Sequence, residues 1–358
     1  MKRIRSLDGM RAVSIIMVLL AHASDTMPSI IAKNKLFSFI ANSDLGVKVF
    51  FAISGYLITK LLIVEKEKTG NVSLRNFYIR RVFRIFPIFY LYIVVLILLK
   101  CFYIPTVFES YKLLGVAALY LWNYEHLINI HITGIDNGFW FFGHFWTLSM
   151  EEQFYLLWPL LFIKVKEPSL KKVVIAMLIA MPFLRVLTYF FMPGSSGQMG
   201  MMLQTGGDTI LIGCLGALVE KTEFFKEKVL KAIHYNGLII CLAVFLFIIS
   251  PILDSHFKGM YNLPIGRSLD NLCIIMLIFW CVYVPSKVSD LLNTKVLIQI
   301  GLLSYSLYIW QQLFFTNRIH FWVNQFPQNI FVVFAVGFVS YYGIEKPILS
   351  LKKKFKRV

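Results

Sequence analysis

A succession of apolar runs, each near 20 residues and separated by short loops rich in Lys and Arg, constrains this chain more than any other feature. A helix rises about 1.5 Å per residue, so roughly 20 apolar residues cross the 30 Å hydrocarbon layer of a bilayer. Such runs occupy about residues 10–24, 45–64, 84–104, 149–165, 173–192, 207–220, 235–253, 269–285, 298–317 and 328–344. An eleventh, near 112–122, is too short to cross comfortably. In lipid every backbone N–H and C=O must be bonded internally, and runs of this length do so as helices. The expected fold class is an all-α integral membrane protein of about ten transmembrane helices, with one short re-entrant or interfacial segment near 112–122. Apolar residues are 58% of the 358 and charged residues only 15%, so residues 1–358 read as one transmembrane domain with no room for a separate soluble one.

The formal net charge of +17 reads as topology, and nucleic-acid binding is not expected. The basic residues fall at the N-terminus (Lys2, Arg3, Arg5, Arg11) and in the stretches Lys60–Arg84, Lys164–Lys172, Lys221–Lys231 and Lys346–Arg357. If 112–122 does not cross, these stretches share one side, as the positive-inside rule requires. The expected placement is multi-pass in a bacterial cytoplasmic membrane, with both termini cytoplasmic. The first run carries Arg11 and His22 and shows no small-residue cleavage site, so it reads as a span and not as a signal peptide. The five cysteines lie in or beside apolar runs, without metal-ligand spacing, and read as small apolar residues.

Ionisable groups inside spans are costly and mark functional candidates. Arg11 and His22 are eleven residues apart, about 16 Å of helix and close to three turns, so both point to one face near opposite ends. Snorkelling to the two headgroup layers is the plainer account of the pair. Arg81 and Arg84 share a helix face where an inner loop enters the third span, and paired guanidiniums suit phosphate oxygens, although basic anchoring also places arginines there. In 145–155 two adjacent carboxylates, Glu151 and Glu152, sit beside aromatics. Ser149 as N-cap with Glu152 three residues on makes a capping-box pattern, which leaves Glu151 without a structural reason. Arg185, Asp208 and Asp270 either pair structurally or line a site. Ser54 and Gly55 are expected to permit close helix approach. His126, His131 and His144, with Trp140 and Trp146, form an interfacial belt or a platform for a sugar; no metal site is expected.

Residues 4–22, 50–58, 77–87, 146–159, 304–312 and 342–348 resemble, in order, the signature blocks of the acyltransferase 3 family, membrane O-acyltransferases that modify bacterial surface polysaccharides. The resemblance implies that Arg11 and His22 are the family's Arg/Lys-ten-residues-His pair and that Arg81 and Arg84 are its Arg-x-x-Arg motif. It also implies that Ser149, Glu151, Phe154 and Tyr155 are its Ser-x-Glu-x-x-Phe-Tyr block. Where many members carry a His after Leu-Tyr-x-Trp, this chain has Gln311. The appended soluble hydrolase-like domain of some members is not expected here.

On this reading acetyl-CoA is the acyl donor, with no bound cofactor, and a polysaccharide or lipid-linked glycan is the acceptor. The expected catalytic residues are His22, Glu151 and Arg11; Arg81, Arg84 and Arg11 hold the donor; Ser149, Tyr155 and Trp146 contact the acceptor. His22 acts as general base or as acyl-carrying nucleophile, and Glu151, entering from the outer side, orients it or tunes its pKa. The competing readings are acyl transfer to a lipid or small molecule, a sensor that kept the fold without catalysis, and a secondary transporter. Against the transporter, neither repeat symmetry nor paired broken helices is visible.

Overall fold

Every apolar run picked out by the sequence lies on a helix, and among the described residues there is no strand. The structure, a computed structural model, describes residues 3–128 and 137–351. In chain order the helices that position the site are α1 (Arg5–Ala23), α2 (Ser43–Thr69), α3 (Leu74–Phe102), α4 (Tyr111–Ala118), α5 (Phe145–Lys164), α6 (Glu167–Phe191), α7 (Asp208–Val219), α8 (Asn236–Phe257), α9 (Gly259–Tyr283), α10 (Lys295–Phe314) and α11 (Gln328–Leu351). Among the described residues 7 helices are long and apolar enough to cross a membrane. The exceptions among the expected spans have physical reasons. Helices α5 and α10, 20 residues each, carry polar side chains of the site described below. Helix α7 has only 12 residues and is buried on most sides, so neighbouring helices take the place of lipid around it.

The short run near 112–122 is the eight-residue α4, about 12 Å long and too short to cross. Leu113 and Ala117 are buried, and Tyr90 of α3 donates its hydroxyl to Ala118 O at 3.1 Å, so the segment packs on protein.

Helix α5 departs from its expected start. It begins at Phe145, so Ser149 lies inside it and caps nothing. The turn before it is held by Thr147, whose hydroxyl donates to His144 O at 3.1 Å.

Backbone contact fixes α2 against α7. A Cβ on Gly55 would stand 1.9 Å from Ile210 O, and one on Gly213 would stand 2.0 Å from Ala52 O. Small residues that let backbones meet are what holds helices together where lipid gives no hydrophobic drive.

Away from the site, buried charge is paired. Arg185 is 0% exposed and Asp208 1%, and they meet at 2.7 Å. Lys48 reaches Asp270 at 3.0 Å and Asp44 at 2.7 Å. Arg185, Asp208 and Asp270 are thus packing partners that line no part of the cavity below. The five cysteines are free.

Candidate active site

Helices α1, α2, α3, α5 and α10 enclose a cavity of about 230 Å³. Its walls are apolar, with Phe50, Phe51, Leu57, Leu61 and Ile85 among them. Its polar groups come from five helices: Arg11 on α1, Ser54 and Glu65 on α2, Arg80, Arg81 and Arg84 on α3, Thr147, Glu151 and Tyr155 on α5, and Ser304, Tyr305 and Tyr308 on α10.

Helical periodicity explains the convergence. Arg81 and Arg84 are three residues apart and Glu151 and Tyr155 four, so each pair presents one face. Tyr155 is held by both neighbours: its hydroxyl donates to Glu151 Oε1, and the Arg81 guanidinium stacks on its ring 4.2 Å from the centroid. Ser54 Oγ also donates to Glu151 Oε1 and touches the Tyr155 hydroxyl. Ser54, expected only to permit close helix approach, is a polar partner of the carboxylate.

The arginines divide into two kinds. Arg80 is ion-paired to Glu65 at 2.8 Å. Arg11, Arg81 and Arg84 form no ion pair or hydrogen bond with any described residue; Arg11 and Arg81 instead lie over aromatic rings. Glu345, buried and accepting from Ser306 at 2.9 Å, is within electrostatic reach of Arg84 and Arg11. A cation with no carboxylate bonded to it adds little to stability, so three around one cavity point to an anion to be bound.

His22 stands apart from this cluster, about 16 Å along α1 from Arg11. The expectation that Glu151 orients it does not match the geometry, because Glu151 is engaged by Ser54 and Tyr155. The partner of His22 is Gln311 on α10: Nδ1 lies 3.1 Å from Gln311 Oε1, and the ring meets Trp140 edge-on at 6.3 Å. The cavity wall also carries a hydroxyl pair bonded to His144 O. Tyr308 and Thr147, both lining the cavity, meet at 2.7 Å, and Tyr308 donates to His144 O at 2.9 Å.

Ser149 and Trp146 do not line the cavity. Ser149 Oγ accepts from Trp122 N at 3.3 Å, and Trp146 packs edge-on against Phe51 at 6.0 Å. His144 is 2% exposed and bonds to Gln312, not an exposed loop residue; His126 meets Ser195 at 3.1 Å, away from the cavity. His131 lies outside the described residues. Among the described residues no group of three His, Cys, Asp or Glu could hold a metal ion.

The acyltransferase domain that defines the acyltransferase 3 family matches residues 4–344. The chain belongs to that family. It is similar to peptidoglycan O-acetyltransferase OatA of Listeria monocytogenes, 28% identical over 331 residues, covering 86% of this chain and 49% of the relative. O-acetyltransferase OatA of Staphylococcus aureus is 27% identical over 363 residues, covering 98% of this chain and 57% of the relative. The chain spans about half the length of these curated relatives. No solved structure matches. The acyltransferase 3 match runs across every helix that lines the cavity.

Proposed function

We propose that this chain is a membrane O-acyltransferase that takes an acetyl group from cytoplasmic acetyl-CoA and delivers it to a hydroxyl of an extracytoplasmic polysaccharide or lipid-linked glycan. The observation that carries the reading is the cavity lined by three guanidiniums that, among the described residues, form no ion pair with a carboxylate. Arg81 and Arg84 hold the CoA phosphates by charge-assisted bonds, and Arg11 adds a third positive charge. The apolar walls accept the pantetheine arm, and the thioester is directed toward His22. Glu151, fixed by Ser54 and Tyr155, balances the guanidinium charge and holds Tyr155 beneath Arg81. His22 serves as general base toward the acceptor hydroxyl or carries the acyl group before passing it on. In either route the C–S bond breaks, the C–O bond forms, and the hydroxyl proton ends on the CoA thiolate. Peptidoglycan, named in a relative, makes its sugar hydroxyls the first acceptors to try.

Membranes containing the chain, given radiolabelled acetyl-CoA and surface glycan, test this. Label enters the glycan with wild type, and His22→Ala lowers the rate by roughly 10²-fold or more. Equal labelling by the two proteins removes His22 from the reaction; no CoA-dependent labelling of glycan, lipid or small molecule returns the transporter reading.

A further inference from the structure

The bond between His22 and Gln311 joins the start of the chain to a helix 289 positions later, and it carries information that a packing contact would not. Imidazole exists as two neutral tautomers, and the hydrogen bond made by one ring nitrogen decides which nitrogen keeps its lone pair. Gln311 is 0% exposed. With the amide oriented so that Oε1 lies 3.1 Å from Nδ1 of His22, the oxygen accepts and Nδ1 is the donor. The free lone pair is then on Nε2, on the far side of the ring from Gln311.

We infer that Gln311 is a positioning residue for acyl transfer: it holds His22 in the Nδ1–H tautomer, so that Nε2 is the atom that takes the acceptor proton or the acyl group. This rests on the acyltransferase reading above and adds to it the reactive atom and the residue that selects it.

Three features support the assignment. The Gln311 amide nitrogen has no partner among the described residues, so the interactions of this buried side chain are concentrated on its oxygen and on His22. Trp140 closes one side of the ring, and its indole Nε1 donates to Gln312 O at 2.9 Å, which ties the ring's neighbour to the same helix as Gln311. The adjacent residue repeats the chemistry on another imidazole: Gln312 Oε1 takes His144 Nδ1 at 2.8 Å. Two consecutive glutamines on α10 thus offer carbonyl oxygens to two histidines. A carbonyl sets the tautomer as a carboxylate does, without the negative charge that would hold the ring protonated.

The charged and titratable groups around His22 are few. Asp25 lies just beyond α1, His144 is within electrostatic reach, and Arg318 stacks on the far partner Trp140 at 5.8 Å. None of them bonds the imidazole.

The test measures acetyl-CoA-dependent transfer in full-length protein as a function of pH. Gln311→Glu keeps an accepting oxygen and adds charge, so it retains transfer while the acid limb of the pH profile moves up by about one unit or more. Gln311→Met keeps length and volume but loses the strong acceptor; kcat falls roughly 10²-fold with KM for acetyl-CoA unchanged, because the donor is anchored at the arginines. An unmoved acid limb in active Gln311→Glu overturns the inference, as does wild-type kcat in Gln311→Met. Loss of transfer in Gln311→Glu alongside a well-folded protein also overturns it, since that result would mean the amide N–H, not its oxygen, faces His22. The folded fraction is read by size-exclusion, and if Gln311→Glu does not fold, Gln311→Met decides alone. Absence of transfer in wild type would instead defeat the acyltransferase reading, so the two failures are distinct.

Discussion

Around Arg185 every guanidinium nitrogen has an acceptor, whereas Arg11, Arg81 and Arg84 form no hydrogen bond or ion pair with any described residue. Arg185 bonds Leu263 O at 2.8 Å, Thr205 O at 3.1 Å, Asp208 at 2.7 Å and Ser268 at 2.8 Å, so four of its five N–H donors are used. The three cavity arginines are only partly buried and line a cavity shared with aromatic rings, apolar walls and the Glu151 carboxylate. Burial alone therefore does not mark a functional charge in this bundle. Whether the donors are already spent does: satisfied charge is scaffold, and unsatisfied charge around a cavity is capacity held for an anion.

The largest expected effect comes from breaking the satisfied set. Arg185→Leu leaves Asp208 buried without its cation, which costs about 3–5 kcal/mol. The thermal unfolding midpoint in detergent should fall sharply, and the double change Arg185→Leu/Asp208→Asn should recover part of the loss. A single variant as stable as wild type would break the comparison. Next come Arg81→Ala and Arg84→Ala, each expected to raise KM for acetyl-CoA by roughly 10- to 100-fold, the worth of a bond to a charged group. Their unfolding midpoints should hold or rise, since an uncompensated cation is removed. Stability loss without a change in KM would move these two into the scaffold. The smallest effect is at Ser149→Ala, where the Trp122 N–H loses its acceptor at a cost of about 1 kcal/mol. Ser54→Ala should impair transfer more than Ser149→Ala does, and the reverse order in the labelling assay would place the reactive wall of α5 on its other face.

Local periodicity is what made part of the site legible. Arg81 with Arg84, and Glu151 with Tyr155, are one helical turn apart, and the structure brings both pairs to one cavity as the spacing implies. The same arithmetic separates Ser149 from Glu151, since two residues are about 200° around a helix. A sequence block that names both says nothing of this, and Ser149 accordingly turns toward Trp122. The membrane-crossing helices were readable because apolar length is a property of a contiguous segment. The partners of His22 and Glu151 were not, because Gln311 and Ser54 lie 289 and 97 positions away and no local pattern encodes a contact across the bundle. The carboxylate expected to serve His22 is engaged instead by Ser54 and Tyr155.

The adjacency of Ser54 and Gly55 has a consequence for mutational tolerance. Gly55 lets the backbone of α2 touch that of α7, and its neighbour, turned about 100° away, meets Glu151. Adding a single methyl group at Gly55 must push the two helices apart, and the displaced helix takes the Ser54 hydroxyl with it. The carboxylate's alignment therefore depends on a position that lines no part of the cavity.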